Sequence, residues 1–258
     1  MTTIEYRAGQ PSWIDLGCPD VPAGTAFYRA VFGWDFLSAG PEAGGYGMFQ
    51  QDGRTVAAIG GLEEGATSAW TVYFQTPDAD AVAKAVEQAG GTVRLAPFDV
   101  MDAGRMGQFT DPTGGEFAIW QPGRTVGLDQ TGAPGSLCWA ELHTADPAAA
   151  LAFYRAVFGW RSADSGVPGV EYTVLSTATG EQPEAGFGGL AGLHEALRPG
   201  WLVHFTVTDV DATAAATTTA GGSIVMPPAD VPTVGRIAVF ADPFGAQYAV
   251  ISPLPREA

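Results

Sequence analysis

Basic residues are scarce in this 258-residue chain. Lysine and arginine together number 12, against 28 aspartates and glutamates, which gives a formal net charge of −16. Nucleic acids and anionic membrane surfaces attract proteins through clustered Lys and Arg side chains. We therefore expect neither a nucleic acid nor a membrane as a partner.

Long apolar runs are also missing. No stretch approaches the roughly 20 apolar residues that span a bilayer. Residues 1–10 lack the basic-then-apolar pattern of a secretory signal. With 46% hydrophobic residues the chain still has ample material for packed cores. These features predict a cytoplasmic globular protein.

Cysteine occurs only twice, at Cys18 and Cys138. The two positions are not equivalent in the internal repeat described next, because Cys18 corresponds to Thr144 and Cys138 to Ser12. A symmetric structural disulfide or a cysteine-based metal site is thus disfavoured. We predict two buried, unreactive thiols in a reducing compartment.

The most informative feature that is present is an internal repeat. The eight residues FYRAVFGW occupy positions 27–34 and return unchanged at 153–160. Residues 13–20 match 139–146 at the same spacing of 126, whereas from residue 70 onwards the spacing is 131. The second copy therefore carries five additional residues, which we place between Arg161 and Glu184. A repeat of this length indicates two homologous domains.

Each copy also looks doubled inside. A strand, a capped helix and short strands follow one another and then repeat, which gives two β-α-β-β-β modules per copy. The predicted helices cover residues 22–32, 78–89, 147–158 and 209–220, and the predicted strands include 13–18, 47–50, 54–62, 70–76, 138–144, 171–176, 184–190 and 201–208. The Gly-, Thr- and Pro-rich residues 125–134 form a predicted linker between domains at 1–124 and 135–258.

These motifs resemble the vicinal oxygen chelate superfamily, which includes glyoxalase I, fosfomycin- and bleomycin-resistance proteins and extradiol dioxygenases. The resemblance rests on Asp20, the Phe-Tyr-x3-Phe-Gly-Trp segment and Asp-Pro-x-Gly near each domain end, and it covers nearly the whole chain. The repeated Asp-Val-x3-Gly-Arg is similar to a two-domain actinobacterial subgroup of mycobacterial antigens and polyketide-pathway proteins called hydroxylases. The resemblance implies an α+β fold of tandem domains, each a curled sheet cup with helices outside and a ligand within.

The resemblance also implies where a metal ion would bind. Metal enzymes of the superfamily take one ligand from the first strand, one from the strand before the second helix and one from the last strand. Those slots hold Trp13, Thr71 and Ala118 in the first copy and Trp139, Leu202 and Ala249 in the second. None of these offers an imidazole nitrogen or a carboxylate oxygen. We expect no metal at these slots and no cofactor.

Strand alternation predicts what lines the cups instead, because every second residue from a slot shares its face. The candidate ligand-binding residues on this face are Trp13, Tyr73, Gln75, Glu116, Trp120, Trp139, Thr206 and Gln247. The candidate catalytic residues are Asp15, Glu141, His143 and His204. Aromatic walls around a few polar groups are typical of small-molecule pockets, and planar aromatic ligands stack on Trp.

Several candidates also have a structural interpretation. Trp13 and Trp139 would serve equally well as fillers of the space that a metal once occupied. Asp15 and Glu141 would be satisfied by a hydrogen bond from a neighbouring Tyr or a backbone amide. The conserved spacing of Asp-Val-x3-Gly-Arg within the chain favours internal Asp–Arg ion pairs, Asp99 with Arg105 and Asp230 with Arg236, that pin a loop.

A metal alternative is also open, because Glu141, His143 and His204 form a two-His, one-carboxylate set of the type favoured by non-haem iron. The matching residues of the first copy are Asp15, Gly17 and Tyr73, so such a site would exist only once.

Two main function classes follow. A binding protein would sequester a small, largely apolar and aromatic molecule, such as an antibiotic or a pathway intermediate, without a metal. A tailoring enzyme of the hydroxylase, lyase or isomerase type would use Glu141 as general base and His143 or His204 as proton shuttle, with Asp15 in the other cup. A role as partner of an oxygenase is a third alternative. Fusion already supplies two domains, so we expect a monomer or a homodimer.

Overall fold

The computed structural model describes residues 4–62, 65–167, 169, 171–177 and 186–254. Its four α-helices are α1 (Val21–Phe32), α2 (Ala79–Gln88), α3 (Pro147–Phe158) and α4 (Val210–Thr219), with a short 3-10 helix at Pro41–Ala43. An aspartate caps the start of each α-helix by accepting a hydrogen bond from a backbone N–H in the first turn. Gly33 and Gly159 end α1 and α3 with φ of 72° and 68°, a left-handed conformation that favours glycine.

The strands form two mixed sheets of eight strands each. The first copy contributes β1 (Pro11–Cys18), β2 (Asp35–Ser38), β3 (Gly47–Gln51), β4 (Arg54–Gly61), β5 (Ala69–Gln75), β6 (Thr92–Val100), β7 (Gly104–Thr110) and β8 (Glu116–Pro122). The second contributes β9 (Leu137–Thr144), β10 (Arg161–Asp164), β11 (Tyr172–Ser176), β12 (Gly188–Gly192), β13 (Gly200–Thr206), β14 (Ser223–Val231), β15 (Gly235–Ala241) and β16 (Gln247–Pro253).

The two sheets repeat the same strand order. It is β2-β3-β4-β1-β5-β8-β7-β6 in one and β10-β11-β12-β9-β13-β16-β15-β14 in the other. This confirms the expected α+β fold of tandem β-α-β-β-β modules. The sequence did not place β2 and β10, because exposed edge strands carry little burial pattern to read. Residues 184 and 185 of one predicted strand, and part of the range 161–184 that is predicted to contain the five additional residues, lie outside the described residues.

The chain divides into two compact units, and each unit combines segments of both copies. Unit 1 comprises residues 1–14, 71–127 and 139–201, and unit 2 comprises residues 15–70, 128–138 and 202–258. These units do not follow the order of the copies along the chain. The domain boundaries at 124 and 135 therefore stay a prediction.

Unit 2 is built around a buried tyrosine of the repeated octapeptide. The Tyr28 hydroxyl donates to Asp242 Oδ2 at 3.2 Å and accepts from Trp70 Nε1 at 3.1 Å. Asp242 Oδ1 accepts from the backbone N–H of Phe244 and of Ala246, both at 2.9 Å. Burial raises the pKa of Asp242 and of Tyr28. A tyrosine of the first copy is thus joined to the Asp-Pro-x-Gly turn of the second.

Unit 1 contains the reciprocal arrangement. The Tyr154 hydroxyl donates to Asp111 Oδ2 at 2.9 Å and accepts from Trp201 Nε1 at 2.9 Å. Asp111 Oδ1 accepts from the backbone N–H of Thr113 at 2.7 Å and of Gly115 at 3.0 Å. Here a tyrosine of the second copy is joined to the turn of the first. The octapeptide therefore supplies buried core residues and the C-terminal cap of a helix in each copy.

The predicted Asp–Arg pairs are confirmed. Arg105 Nη1 lies 3.0 Å from Asp99 Oδ1, and Arg236 Nη1 lies 3.0 Å from Asp230 Oδ1. The sequence did not predict a further partner of Arg236. Its guanidinium also donates to both carboxylate oxygens of Asp211, at 2.7 and 2.9 Å. These pairs are solvent-exposed and contribute little to stability; Asp99–Arg105 joins β6 to β7, Asp230–Arg236 joins β14 to β15, and Asp211–Arg236 joins α4 to β15.

Both cysteines are free thiols; Cys18 is fully buried as predicted, whereas Cys138 is only partly buried, which corrects the prediction of two buried thiols. The Cys138 thiol donates to the backbone carbonyl of His204 at 3.3 Å, and burial raises its pKa to about 11. Because the folded state favours the neutral thiol, the stability this group contributes is present below its usual pKa of 9.0 and is lost as pH rises through 11.

We expect iodoacetamide to modify Cys138 about 100-fold more slowly in the native protein at pH 8 than in the chain unfolded in guanidinium, because the thiolate is the reacting form. Peptide mass mapping over time measures both rates. Equal rates, or a native rate that does not increase with pH, would contradict the assigned burial.

Within the described ranges, no helix is both long and apolar enough to cross a membrane.

Candidate functional site

Strand β9 places three predicted site residues side by side on one face. Ala140 and Leu142 are fully buried, and they alternate with Trp139, Glu141 and His143. In β1 the corresponding alternation buries Ile14, Leu16 and Cys18. A Cβ atom added to Gly24 of α1 would lie 2.8 Å from Cys18 Sγ, so the helix packs against that face. We call the opposite face, which carries the predicted site residues, the helix-free face.

The Glu141 carboxylate is anchored by a tyrosine from a neighbouring strand. The Tyr172 hydroxyl donates to Glu141 Oε2 at 2.5 Å and accepts from Trp139 Nε1 at 2.6 Å. Burial and the Glu141 charge raise the pKa of Tyr172 far above its usual value, so the phenol stays protonated and keeps its donor role. Trp139, Tyr172 and Glu141 therefore form one continuous hydrogen-bonded chain.

A glycine makes this arrangement sterically possible. Gly189 of β12 lies directly opposite Glu141 of β9, and Tyr172 belongs to β11, which pairs with β12. A Cβ atom added to Gly189 would lie 1.9 Å from the Tyr172 hydroxyl oxygen. The Tyr172 ring reaches across β12 to Glu141 because the intervening position has no side chain.

His143 supplies the least satisfied polar group of this cluster. Its Nε2 lies 2.6 Å from Glu141 Oε1, close enough for an ion pair. The relative orientation of the two groups, however, does not meet hydrogen-bond geometry. The side chain is only 6% exposed, and neither ring nitrogen has a hydrogen-bond partner among the residues that the structure describes. A buried imidazole in this condition is able to bind a polar ligand atom at little further cost in desolvation.

The first copy has a simpler counterpart in unit 2. Asp15 corresponds to Glu141, and its Oδ2 accepts from the Tyr46 hydroxyl at 3.3 Å. Gly17 stands where the second copy has His143. Asp15 and Glu141 each accept a hydrogen bond from a tyrosine. In this respect the structure confirms the prediction that a neighbouring tyrosine satisfies these two carboxylates.

Tyr46 and Tyr172 are the site residues that the sequence analysis missed. They lie 126 positions apart, the spacing of the first half of the repeat, and this signal was available in the sequence. Neither tyrosine lies on a strand that contributes a metal slot in the related enzymes. Strand alternation counted from the slots therefore did not reach them.

Three predicted aromatic residues of the first copy also come together, in unit 1. Tyr73 and Trp120 are nearly buried and pack with Ala118, and Trp13 and Met106 pack against them while remaining partly exposed. Gln75 is buried on the same strand face as Tyr73. Glu116, in contrast, is 59% exposed and forms an ion pair with Arg94 at 2.6 Å.

The remaining predicted residues belong to unit 2, whereas Glu141 and His143 belong to unit 1. His204 is buried on β13, and the Thr206 hydroxyl donates to the Gly132 carbonyl at 3.3 Å. Gln247 is partly buried at the start of β16. Thr206 thus has a structural role on the inter-copy segment.

The donor atoms do not fit the metal that the superfamily's enzymes hold. The six slot positions carry indole, hydroxyl or aliphatic side chains. Across residues 4–254, leaving out the short segments the structure does not describe, no three His, Cys, Asp or Glu residues are grouped so as to hold an ion.

The fold and the paired modules define the class to which this chain belongs. The sequence profile of the Glyoxalase/Bleomycin resistance protein/Dioxygenase superfamily matches residues 10–119 and 136–250. The match covers most of both copies, and the chain is a member of this superfamily.

Relatives and solved structures give the finer comparison. The chain is 43% identical over 262 positions to the anthracycline biosynthesis protein DnrV of Streptomyces peucetius, covering 95% of this chain and 94% of the relative. It is 40% identical to the putative glyoxylase CFP32 of Mycobacterium tuberculosis, covering 98% of each. The Mn(II)-bound glyoxalase of Novosphingobium aromaticivorans shares the fold at 19% identity, with a TM-score of 0.65 over 98% of this chain and 87% of that one.

Proposed function

We propose that this chain binds a small, largely apolar and aromatic metabolite beside Trp139, without a metal, in order to sequester it or to support its chemical tailoring. The observation that carries the proposal is the Trp139–Tyr172–Glu141 hydrogen-bonded chain, with the His143 imidazole beside it, whose Nδ1 makes no hydrogen bond among the described residues. The indole is held by its N–H, so its ring orientation is fixed before a ligand arrives.

The chemistry of this cluster suits a flat aromatic molecule with an oxygen substituent. A held indole ring offers a stacking surface. His143 offers a ring nitrogen that is able to donate to a carbonyl or accept from a hydroxyl. The relative named for anthracycline biosynthesis supports this class of ligand, since anthracyclines have a planar polycyclic core with such substituents.

A second candidate function is proton transfer on the bound molecule. The 2.6 Å contact between Glu141 Oε1 and His143 Nε2 favours it, because a carboxylate beside an imidazole is a common acid–base pair. In this scheme Glu141 takes a proton from the ligand and His143 relays it. His204 and Asp15 keep their candidate roles only as sequence predictions, because both belong to unit 2.

The test is a fluorescence titration with alizarin, a dihydroxyanthraquinone. We expect Trp139→Ala to weaken alizarin binding by up to about tenfold, since a lost stacking contact is worth roughly 0.5–1.5 kcal/mol. Trp139→Phe keeps a ring and should lose less. Glu116→Gln, in an exposed ion pair, is the matched control and should bind as the parent does. Unchanged affinity in Trp139→Ala would overturn the proposal.

A second variant, Glu141→Gln, distinguishes sequestration from proton transfer. If the protein only sequesters its ligand, Glu141→Gln leaves affinity within about threefold and the ligand is recovered unchanged from the parent protein. If Glu141 is a base, the parent converts its substrate, and Glu141→Gln retains binding while conversion falls by roughly 100-fold or more. Mass spectrometry of the recovered ligand shows whether it is unchanged or converted.

A further inference from the structure

Two hydrogen bonds join the copies in unit 1, and a tyrosine and a tryptophan of the same octapeptide donate them. The Tyr154 hydroxyl of the second copy donates to Asp111 of the first. Trp160 donates through Nε1 to the Gly9 carbonyl of the first copy at 3.0 Å. The indole is 2% exposed, so it lies inside the unit. The octapeptide of the second copy is thus bound by the first copy at two points.

Unit 2 repeats both bonds with the copies exchanged. Tyr28 of the first copy donates to Asp242 of the second, and Trp34 Nε1 donates to the Gly135 carbonyl at 2.9 Å. The donors of the two units are 126 positions apart, and so are the two glycine acceptors, while the two aspartates are 131 positions apart. Each bond therefore joins the same two repeat positions in both units.

A phenylalanine packed on a glycine is a third contact that both units share. A Cβ atom added to Gly91 would lie 2.8 Å from Cε2 of Phe153, and one added to Gly222 would lie 2.9 Å from Cε2 of Phe27. Both phenylalanines are 3% exposed. A side chain on either glycine would displace the ring, so this close approach of one copy to the other depends on glycine.

Each copy therefore carries both halves of one set of contacts, which we call the inter-copy joint. One half is the octapeptide, at 27–34 or 153–160. The other half is the turn aspartate, the glycine before β6 or β14, and the glycine before β1 or β9. A surface that carries both halves of a contact is of the isologous type, in which a patch binds an equivalent patch. Buried aromatic rings are also typical of permanent interfaces.

We infer that the inter-copy joint is self-complementary, so that either copy pairs with the same copy of a second chain when it is released from its neighbour. The partner of this surface is thus a second copy of this chain. Within one chain the linker at 125–134 favours pairing of neighbours, because it keeps their effective concentration high. This goes beyond the proposed function, since it concerns assembly and requires no ligand.

The experiment uses the whole chain with a protease site inserted between Thr131 and Gly132, which are both exposed. Unlabelled and isotope-labelled proteins are cleaved, unfolded together in urea, refolded and weighed by native mass spectrometry. We expect the copies to stay associated after cleavage. After refolding, about half of the complexes should carry both labels, as random exchange requires, and pairs of two first copies and of two second copies should be present.

The uncleaved protein, refolded in the same way at low concentration, is the control and should give single chains. Three results would overturn the inference. The copies separate as soon as the linker is cut, the refolded mixture contains no complexes with both labels, or it contains only pairs of unlike copies.

Asp111→Asn assigns the like pairs to the joint. A pair of first copies uses Asp111 twice, whereas a pair of second copies uses only Asp242. We therefore expect the variant to reduce pairs of first copies at least about tenfold relative to pairs of second copies, because two buried hydroxyls lose a charged acceptor. Asp102→Asn, at an exposed ion pair, is the matched control and should change neither. An equal effect of Asp111→Asn on both kinds of pair would refute the joint.

Discussion

Replacing Asp111 by alanine is expected to lower the free energy of unfolding by about 3–5 kcal/mol, which urea denaturation measures, because each buried donor that loses its acceptor costs roughly 1–3 kcal/mol. The Asp111 side chain is buried, with the residue 3% exposed. Its carboxylate accepts hydrogen bonds from the Tyr154 hydroxyl and from the backbone N–H groups of Thr113 and Gly115. Removing it leaves these donors buried without an acceptor. Tyr154→Phe removes only one of the bonds and should cost about 1–2 kcal/mol.

Asp102→Ala is the matched control for this prediction. Asp102 forms an ion pair with Arg124 at 3.1 Å, but its side chain is 65% exposed. An exposed pair of this kind contributes less than about 1 kcal/mol. If Asp111→Ala proved as mild as Asp102→Ala, the Asp-Pro-x-Gly turn would not be the anchor of the Tyr154 core.

Gly189→Ala is the second variant with a large expected effect. The new methyl group would overlap the Tyr172 hydroxyl, so the ring must move away from Glu141 and Trp139. We expect a loss of about 1–3 kcal/mol in stability from overpacking. We also expect alizarin affinity to fall about tenfold as the indole loses its anchor. Near-ultraviolet circular dichroism reports the freed Trp139.

Gly192→Ala offers a control on the same strand. A Cβ atom at Gly192 meets no atom within 4 Å, so the substitution adds the same methyl group without a clash. Tyr172→Phe separates the hydrogen bonds from the packing, because it keeps the ring and removes the hydroxyl. A Gly189→Ala protein with parent-like alizarin binding would show that the Tyr172 anchor does not organise the site.

The fold was predictable because the same local signals occur in both copies. Capping aspartates and the glycines after α1 and α3 fixed the helices to within one or two residues. The alternating residues Ile14, Leu16, Ala140 and Leu142 are buried, on the face opposite the predicted site residues. These signals depend only on neighbours along the chain, which is why sequence reasoning reached them.

The candidate site was less predictable because its decisive contacts cross between strands. Tyr172 reaches Glu141 over Gly189, and this depends on a register that no local pattern states. The grouping of segments from both copies into each unit was likewise out of reach. The sequence identifies Tyr154 and Asp111 as core and turn residues but not as partners.

The pairing of Tyr28 with Asp242 has a consequence for how the protein is made. The two residues are 214 positions apart, and their bond closes the core of unit 2. On the ribosome, the emerging first copy has no acceptor for that hydroxyl until Asp242 has been translated. Nascent chains should therefore remain dependent on chaperones, or sensitive to proteases, until most of the second copy has been synthesised.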